Sequence, residues 1–321
     1  MKIAIIGAGL AGLTLARRLS DAHDVLVLEK ARGPGGRMST RRADPWAFDH
    51  GAQYFTAETP RFQAFLESLA PREMIASWPP AITLKGNARI SDKPKYVAQP
   101  GMNALCKWLA HKIDLRTQVE VAHLHKQQDG WFIETDQGAG LGPFDWVIST
   151  APAQQTARLM PAEFSEMPAL DAVRMSGCFA LMLGFDAPIA LPWQALKSDR
   201  GAVGWIAVNS QKPQRGAAFS VLIQSTNVWA DAHLEDPRAT IQDTLLQAAS
   251  DLAGTDFAGA SHQVLHRWRY ASTPEPAGKP YLLDADLGLA ACGDWCLGSK
   301  VEAAFSSASA LADAFQSITE A

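Results

Sequence analysis

The spacing Gly7-x-Gly9-x-x-Gly12 constrains this chain more than any other stretch. It follows the unbroken apolar run Ile3-Ala4-Ile5-Ile6 and precedes a segment, 13–20, with Leu13, Ala16 and Leu19 on one side. A short apolar run without alternation is what a strand buried on both faces of a parallel sheet requires. Between such a strand and a helix, the first glycine permits the tight turn and the second lets the backbone approach a pyrophosphate. The third lets helix and strand pack closely. Ala11 lies in the glycine turn, and the helix N-terminus after it turns free N–H groups toward phosphate charge. A second apolar run, 25–28, ends in Glu29, about 20 residues on, where a carboxylate accepts hydrogen bonds from a ribose diol. The chain is predicted to open with a βαβ dinucleotide-binding unit.

The remaining pattern predicts a helix over 103–112 and a β-meander over 117–150, with strands near 119–125, 131–135 and 146–149. Further strands are expected at 179–185, 203–208, 218–224 and 263–270, and a helix at 238–252. Pro274, Pro276 and Pro280 mark joins. A last strand at 287–292 leads through Gly293-Asp294 into a long helix over 301–315. Both ends read as α/β and the middle as α+β. The predicted fold is a Rossmann-type domain assembled from discontinuous segments, 1–56, 98–152 and 285–321. A mixed-sheet substrate domain, 57–97 and 153–284, is inserted into it.

Composition narrows the function classes. With 321 residues, 47% hydrophobic and 19% charged, the chain has material for a full core. Lys plus Arg at 29 against Asp plus Glu at 33 gives a net charge of -4, so no global basic field exists to hold a nucleic acid. Cys106, Cys178, Cys292 and Cys296 form neither a disulfide framework nor a zinc-ligand pattern. They are read as reduced thiols. The N-terminus lacks a signal-peptide pattern and the run at 179–185 is too short to span a bilayer, so a cytoplasmic location without a membrane or a metal is expected.

The fingerprint alone does not separate FAD from NAD. The strand 289–292 running into Gly293-Asp294 does more. In flavoproteins with such a fingerprint, a late Asp binds the ribityl chain. The helix opening at Val301-Glu302 directs its positive end at the flavin N1/O2 edge. Arg32-Gly-Pro-Gly-Gly-Arg37 is a glycine loop near the cofactor, and Arg37 is placed to pair with a pyrophosphate. Asp49-His-Gly51-Ala-Gln53-Tyr54-Phe55-Thr56 either lines a cavity or, at Tyr54 and Phe55, packs in a core. Gly298-Ser299-Lys300 reverses the residue order of a P-loop. His123 and His125 are expected to face out of a sheet.

Several runs together resemble the bacterial renalases, within the flavoprotein amine-oxidase-like superfamily of p-hydroxybenzoate-hydroxylase-type fold. They are Ile5 to Leu13, Lys30 to Ser39, Gly51 to Thr56, Pro100-Gly-Met102, Ile148 to Ala153, His266-Arg-Trp-Arg-Tyr270, Asp284 to Gly288, Cys292 to Leu297 and Val301-Glu-Ala303. The resemblance implies a noncovalent FAD held by the fingerprint, Glu29, Lys30 and Arg37, by Gly51, Ala52 and Gln53, and by Asp294, Val301 and Glu302. It implies that Ala52, Gln53, Tyr54, Phe55 and Thr56 face the flavin's open side. Asn209, Arg267, Tyr270 and Trp295 would line the substrate cavity, although Asn209 and Tyr270 read equally well as structural. Arg267 and the pair Lys93/Lys95 are candidates for a substrate pyrophosphate.

The implied reaction is oxidation of 1,2-dihydro, or 1,6-dihydro, isomers of NAD(P)H to NAD(P)+, with O2 as acceptor and hydrogen peroxide as product. Loss of hydride makes the pyridine ring aromatic, so no general base is needed, in keeping with the lack of an acid/base pair in the motifs. An amine oxidase or desaturase using the same hydride chemistry, and a flavin-bound sensor without turnover, are the alternatives.

Overall fold

The computed structural model describes residues 1–69 and 72–320. The chain divides into two compact units. The first comprises Met1–Gly36, Leu105–Met175 and Thr273–Ala321, and the second Arg37–Ala104 and Ser176–Ser272.

In the first unit, strand Lys2–Ile6 pairs in parallel with Asp24–Glu29 on one side and with Trp146–Ser149 on the other. The full order is Leu282–Asp284, Leu289–Ala291, Trp146–Ser149, Lys2–Ile6, Asp24–Glu29, Asp114–Thr117. Only the pair Leu282–Asp284 and Leu289–Ala291 is antiparallel. Continuous burial of Trp146–Ser149 explains why it leaves the meander in which the sequence pattern placed it. A strand buried on both faces belongs at the centre of a parallel sheet. The meander itself has three antiparallel strands, Val121–Gln127, Gly130–Thr135 and Gly140–Phe144. Its Trp131, Ile133 and Phe144 share a core with Ala4, Ile6, Leu28 and Val147. His123 and His125 point outward and are exposed, as expected. Helices Leu10–Leu19 and Val301–Glu320 pack together, tied by Arg18 to Asp313 at 2.8 Å, and Phe315 meets Trp146 edge-on.

The second unit is built on a mixed sheet ordered His262–Glu275, Arg174–Gly184, Ser220–Ser225, Val203–Val208, Ala195–Ser198, Ile82–Lys85. Helix Arg238–Ala253 buries Ile241, Leu245 and Ala249 in a core with Leu181, Leu183, Ile206 and Ile223. The opposite face carries Ala180, Met182 and Leu222, covered by Phe48 of the hairpin Thr40–Ala43/Trp46–Asp49. Pro274 lies inside the strand His262–Glu275 rather than at a join. This strand is at the sheet edge, where a missing N–H is tolerated.

The expected domain limits differ from these units in four stretches, 37–56, 98–104, 153–175 and 273–284. The hairpin takes residues 37–56 into the second unit because its apolar face packs on that unit's sheet. Residues 153–175 belong to the first unit because helices Ala153–Leu159 and Met167–Asp171 bury Ala153 and Leu170 in the meander core. The expected helix over 103–112 is shorter, Ala104–Leu109. Among the described residues no helix is long and apolar enough to cross a membrane.

Candidate active site

The first unit carries the dinucleotide cradle. Helix Leu10–Leu19 begins after Gly9 with no side-chain cap and no acidic residue in its first turn, leaving its N-terminal charge uncompensated. A Cβ on Gly12 would stand 2.0 Å from the Gly7 carbonyl oxygen, so glycine is obligatory there. A Cβ on Gly9 would meet nothing within 4 Å, so space lies open above it. The Glu29 carboxylate accepts from the Ala8 N–H through Oε2 and from the Ala31 N–H through Oε1, both at 2.8 Å. These bonds fix its direction at the strand end, and each oxygen keeps a second acceptor site for a ribose hydroxyl. Lys30 is exposed and faces Glu120 at 3.4 Å. Open space over Gly9, an uncapped helix start and an oriented carboxylate fit an adenine dinucleotide.

At the other end of this unit, Asp294 and Glu302 are buried, and Val301 is half-buried at the start of the closing helix. Trp295 corrects the expectation of a cavity rim. It is fully buried in the first unit's core and donates Nε1–H to the Ala151 carbonyl at 3.0 Å. All four cysteines are free thiols and buried. Burial pushes the Cys296 thiol up to about 12.

The second unit carries the run 49–56. A Cβ on Gly51 would lie 2.0 Å from the Arg37 carbonyl oxygen, and Ala52 N–H donates to that oxygen at 2.8 Å. Gln53 is buried; its Nε2 donates to the Asp49 carbonyl at 2.5 Å and the Gly51 carbonyl at 3.0 Å. Gln224, on strand Ser220–Ser225, donates to the same Gly51 oxygen at 2.7 Å. Tyr54 is half-buried between Trp78 and Trp205, with ring centroids 6.2 and 5.7 Å away. Phe55 is core, packed on Phe62 and Tyr96, and so corrects its assignment to an open face. Thr56 is half-buried near Glu58.

The other substrate candidates separate. Asn209 is fully buried. Its Oδ1 accepts from Asp49 N–H at 3.2 Å and its Nδ2 donates to the Ala47 carbonyl at 2.8 Å, so it staples the hairpin rather than lining a cavity. Arg267 donates to the Leu234 carbonyl and faces Glu235 at 3.4 Å, next to the chain that follows helix Asn227–Ala232. His266 and Trp268, its neighbours on the strand, instead reach His50. Alternation along the strand therefore puts Arg267 on the other face. Tyr270 is half-buried two residues beyond Trp268. Lys93 pairs with Glu58 at 2.7 Å, and Lys95 donates to the Ser91 carbonyl at 2.7 Å.

Sequence reasoning missed two clusters. In one, Asp49, Lys212 and Arg215 have no side-chain exposure, with Arg215 2.7 Å and Lys212 3.5 Å from Asp49 Oδ2. Thr40 Oγ1 and the Met102 N–H donate to Oδ1 at 2.7 and 3.0 Å. Burial works to raise the Asp49 carboxyl, but Lys212, Arg215 and these donors hold it below the usual range. In the other, His50 lies edge-on to His266 at 4.9 Å and stacks on Trp268 at 5.2 Å. Burial, then His266 and Arg41, push His50 down to about 4. Burial, then Arg41 and Arg238, do the same to His266. Both imidazoles are therefore neutral near pH 7.

Comparison with known proteins fits this geometry. Residues 5–69 match the NAD(P)-binding Rossmann-like domain, and residues 80–314 match the flavin containing amine oxidoreductase family. The chain is 48% identical over 52 residues to 4,4'-diapophytoene desaturase (4,4'-diaponeurosporene-forming) of Staphylococcus aureus (strain Newman). That match covers 16% of this chain and 10% of the desaturase. Among solved structures, a protein described as a protoporphyrinogen oxidase from Exiguobacterium sp. 255-15 superposes with a TM-score of 0.79 at 12% identity, covering 98% of both chains. Wild-type putrescine oxidase bound to putrescine gives 0.72 at 11% identity, covering 98% of this chain and 99% of that one. These two likenesses establish the fold. The cofactor is FAD, and the cradle in the first unit suits its adenosine half. A match over most of its length places the chain in the family of flavin-containing amine oxidoreductases, as an FAD-dependent enzyme.

Proposed function

We propose that the protein oxidises 1,2-dihydro isomers of NAD(P)H to NAD(P)+ with O2 as acceptor, releasing hydrogen peroxide. The observation that carries this reading is the charge of the second unit. Asp49 is the one buried carboxylate among its described residues, and Lys212 and Arg215 already neutralise it. Nothing anionic is left inside this unit to receive an amine cation. Arg41 stands beside His50 and His266 without a carboxylate partner among the described residues. Tyr54 and Trp268, both half-buried, supply flat apolar surface, while Trp78 and Trp205 are buried beside Tyr54. A cationic and aromatic lining suits a planar, anionic dinucleotide better than a diamine.

FAD held in the cradle would supply a hydride acceptor that O2 can reoxidise. The chain's own part is to hold, orient and keep dry. Glu29 and the uncapped helix start hold the adenosine and phosphate end. No proton needs to be taken from the donor carbon, because the ring becomes aromatic on losing hydride; His50 and His266, held neutral, add no charge beside Arg41. The buried Cys296 thiol is a poor nucleophile, which supports noncovalent FAD. Acid precipitation should then leave the yellow colour in the supernatant.

The deciding experiment is anaerobic mixing of the yellow protein with each dihydronicotinamide isomer and with putrescine, following flavin absorbance. Fast bleaching by a 1,2-dihydro isomer is expected, with recovery in air and one peroxide per NAD(P)+. Ordinary 4-dihydro NADH should be on the order of a hundred-fold slower, since the same pose puts its hydride carbon in the wrong place. Faster bleaching by putrescine or a simple monoamine would overturn the reading and leave an amine oxidase.

A further inference from the structure

Arg41 stands opposite Phe48 in the hairpin Thr40–Ala43/Trp46–Asp49, and residues directly opposite on an antiparallel pair share a face. Phe48 packs on Ala180, Met182 and Leu222, and Val264 and Trp268 pack against the same cluster. Arg41 therefore leaves the hairpin on the side of the second unit's sheet. His266 lies between Val264 and Trp268 on the same face of its strand. The next hairpin pair, Thr40 and Asp49, points the other way, where Lys212 and Arg215 hold Asp49. Alternation along the hairpin thus keeps the guanidinium apart from the buried carboxylate.

The groups around Arg41 are donors and rings. His50 and His266 meet edge-on at 4.9 Å, and Trp268 lies 5.2 Å from His50 and 4.3 Å from His266. The Trp268 indole N–H is taken up by the His50 carbonyl at 2.7 Å, and Ser39 Oγ lies 3.4 Å from His50 Nε2. Among the described residues, half-buried Arg41 has no hydrogen-bond or ion-pair partner, and neither ring nitrogen of His266 is hydrogen-bonded. Taking a guanidinium partly out of water without a counter-charge is unfavourable, and its forked N–H donors match the oxygens of a phosphate.

We propose that Arg41, with Ser39, His50 and His266 around it, forms a subsite within the second unit for a phosphate or pyrophosphate group. Assigning that group to the dihydronicotinamide donor rests on the reading above; free pyrophosphate is the other source of the same chemistry. The anion supplies the counter-charge that the fold withholds from Arg41. It also favours protonation of both imidazoles, which burial and Arg41 otherwise keep neutral. The other charged groups facing them are Asp49 beside His50 and Arg238 beside His266, the latter donating to the Leu265 carbonyl.

The test uses inorganic pyrophosphate and the FAD-loaded protein with no donor present. Binding is measured by calorimetry at pH 7, and the histidine C2 protons are followed by NMR from pH 7.5 to 5, with His50→Gln and His266→Gln to assign them. Without the anion both imidazoles should stay neutral through this range; with it their midpoints should rise into it. Arg41→Gln should weaken pyrophosphate binding ten-fold or more and abolish the rise. Arg41→Lys, a charge without the fork, should keep part of both and decides the matter if the Gln variant does not fold. In turnover, Arg41→Gln should raise KM for the 1,2-dihydro donor by a similar factor, with a smaller change in kcat. An unchanged KM beside lost pyrophosphate binding supports the subsite and assigns it to a free anion. No pyrophosphate binding, equal binding in folded Arg41→Gln, or loss of FAD from that folded variant overturns the proposal; the last would give the guanidinium to the cofactor. If no dihydronicotinamide bleaches the flavin, the substrate reading fails while the pyrophosphate measurements still decide the subsite.

Discussion

At the scale of single residues, Glu29 and His50 carry opposite kinds of commitment. Glu29 is oriented by two backbone N–H groups and offers its remaining acceptor capacity outward. A charge-assisted hydrogen bond to a ribose hydroxyl contributes about 1.5–3 kcal/mol. Glu29→Ala should therefore weaken FAD binding ten-fold or more, read by fluorescence of released flavin; unchanged affinity would mean the cradle is misassigned. His50 is committed to staying neutral. Its pKa in the folded chain is about 4 against 6.5 unperturbed, so between these values the unfolded chain binds more protons than the folded one. Stability is full above about 6.5 and is lost as the pH falls toward 4. At about 1.4 kcal/mol per pKa unit, the loss through His50 is at most about 3.5 kcal/mol. His266 adds to it in the same direction, less strongly because it is partly exposed. Urea melts at pH 7.5, 6, 5 and 4.5 should trace this fall, and His50→Gln should flatten it. An equally steep fall in the variant would assign the acid sensitivity to other groups.

At the scale of elements, the hairpin Thr40–Ala43/Trp46–Asp49 is the piece on which the second unit's charge depends. Asn209 holds it through the Ala47 carbonyl and the Asp49 N–H. Asn209→Ala should cost about 1–3 kcal/mol by leaving these buried groups unsatisfied, and KM for the dihydronicotinamide donor should stay within about two-fold, since the amide is already engaged. A large rise in KM at unchanged stability would return Asn209 to the substrate site. The hairpin was also where the sequence was hardest to read. Strand Lys2–Ile6, the glycine turn and strand Asp24–Glu29 were legible because unbroken apolar runs and glycine spacing are local signals. The strand Val203–Val208 and the helix Arg238–Ala253 were legible for the same reason. The Asp49 cluster was not. Lys212 and Arg215 flank Pro213 and precede Gly216, in a stretch that reads as a polar loop. Their partner lies 163 and 166 residues away, and no local pattern announces that a charge will be neutralised at such a distance. Trp295 and Phe55 misled for the converse reason. Both sit in runs whose motif points to a cofactor, yet their large apolar side chains are buried in cores.

At the scale of the whole molecule, the FAD cradle belongs to a unit whose three segments are far apart in sequence, 1–36, 105–175 and 273–321. The central sheet is where they meet, since Lys2–Ile6 lies between Asp24–Glu29 and Trp146–Ser149, and the latter pairs with Leu289–Ala291. A ligand that binds only the folded form stabilises it by RT ln(1 + [L]/Kd), about 2.7 kcal/mol at a hundred times Kd. For a unit of this size each kcal/mol moves the midpoint by about 2–4 °C, so saturating FAD should raise the melting temperature of the apoprotein by roughly 5–10 °C. Because the sheet joins all three segments, the gain should not stay at the glycine turn. Hydrogen exchange is expected to slow in Trp146–Ser149 and Leu289–Ala291 as well as in Lys2–Ile6 on adding FAD, each by a similar factor, as for one cooperative unit. Slowing confined to residues 7–12 would mean that the C-terminal segment folds without reference to the cofactor. Asp294 and Glu302 would then lose their place beside it.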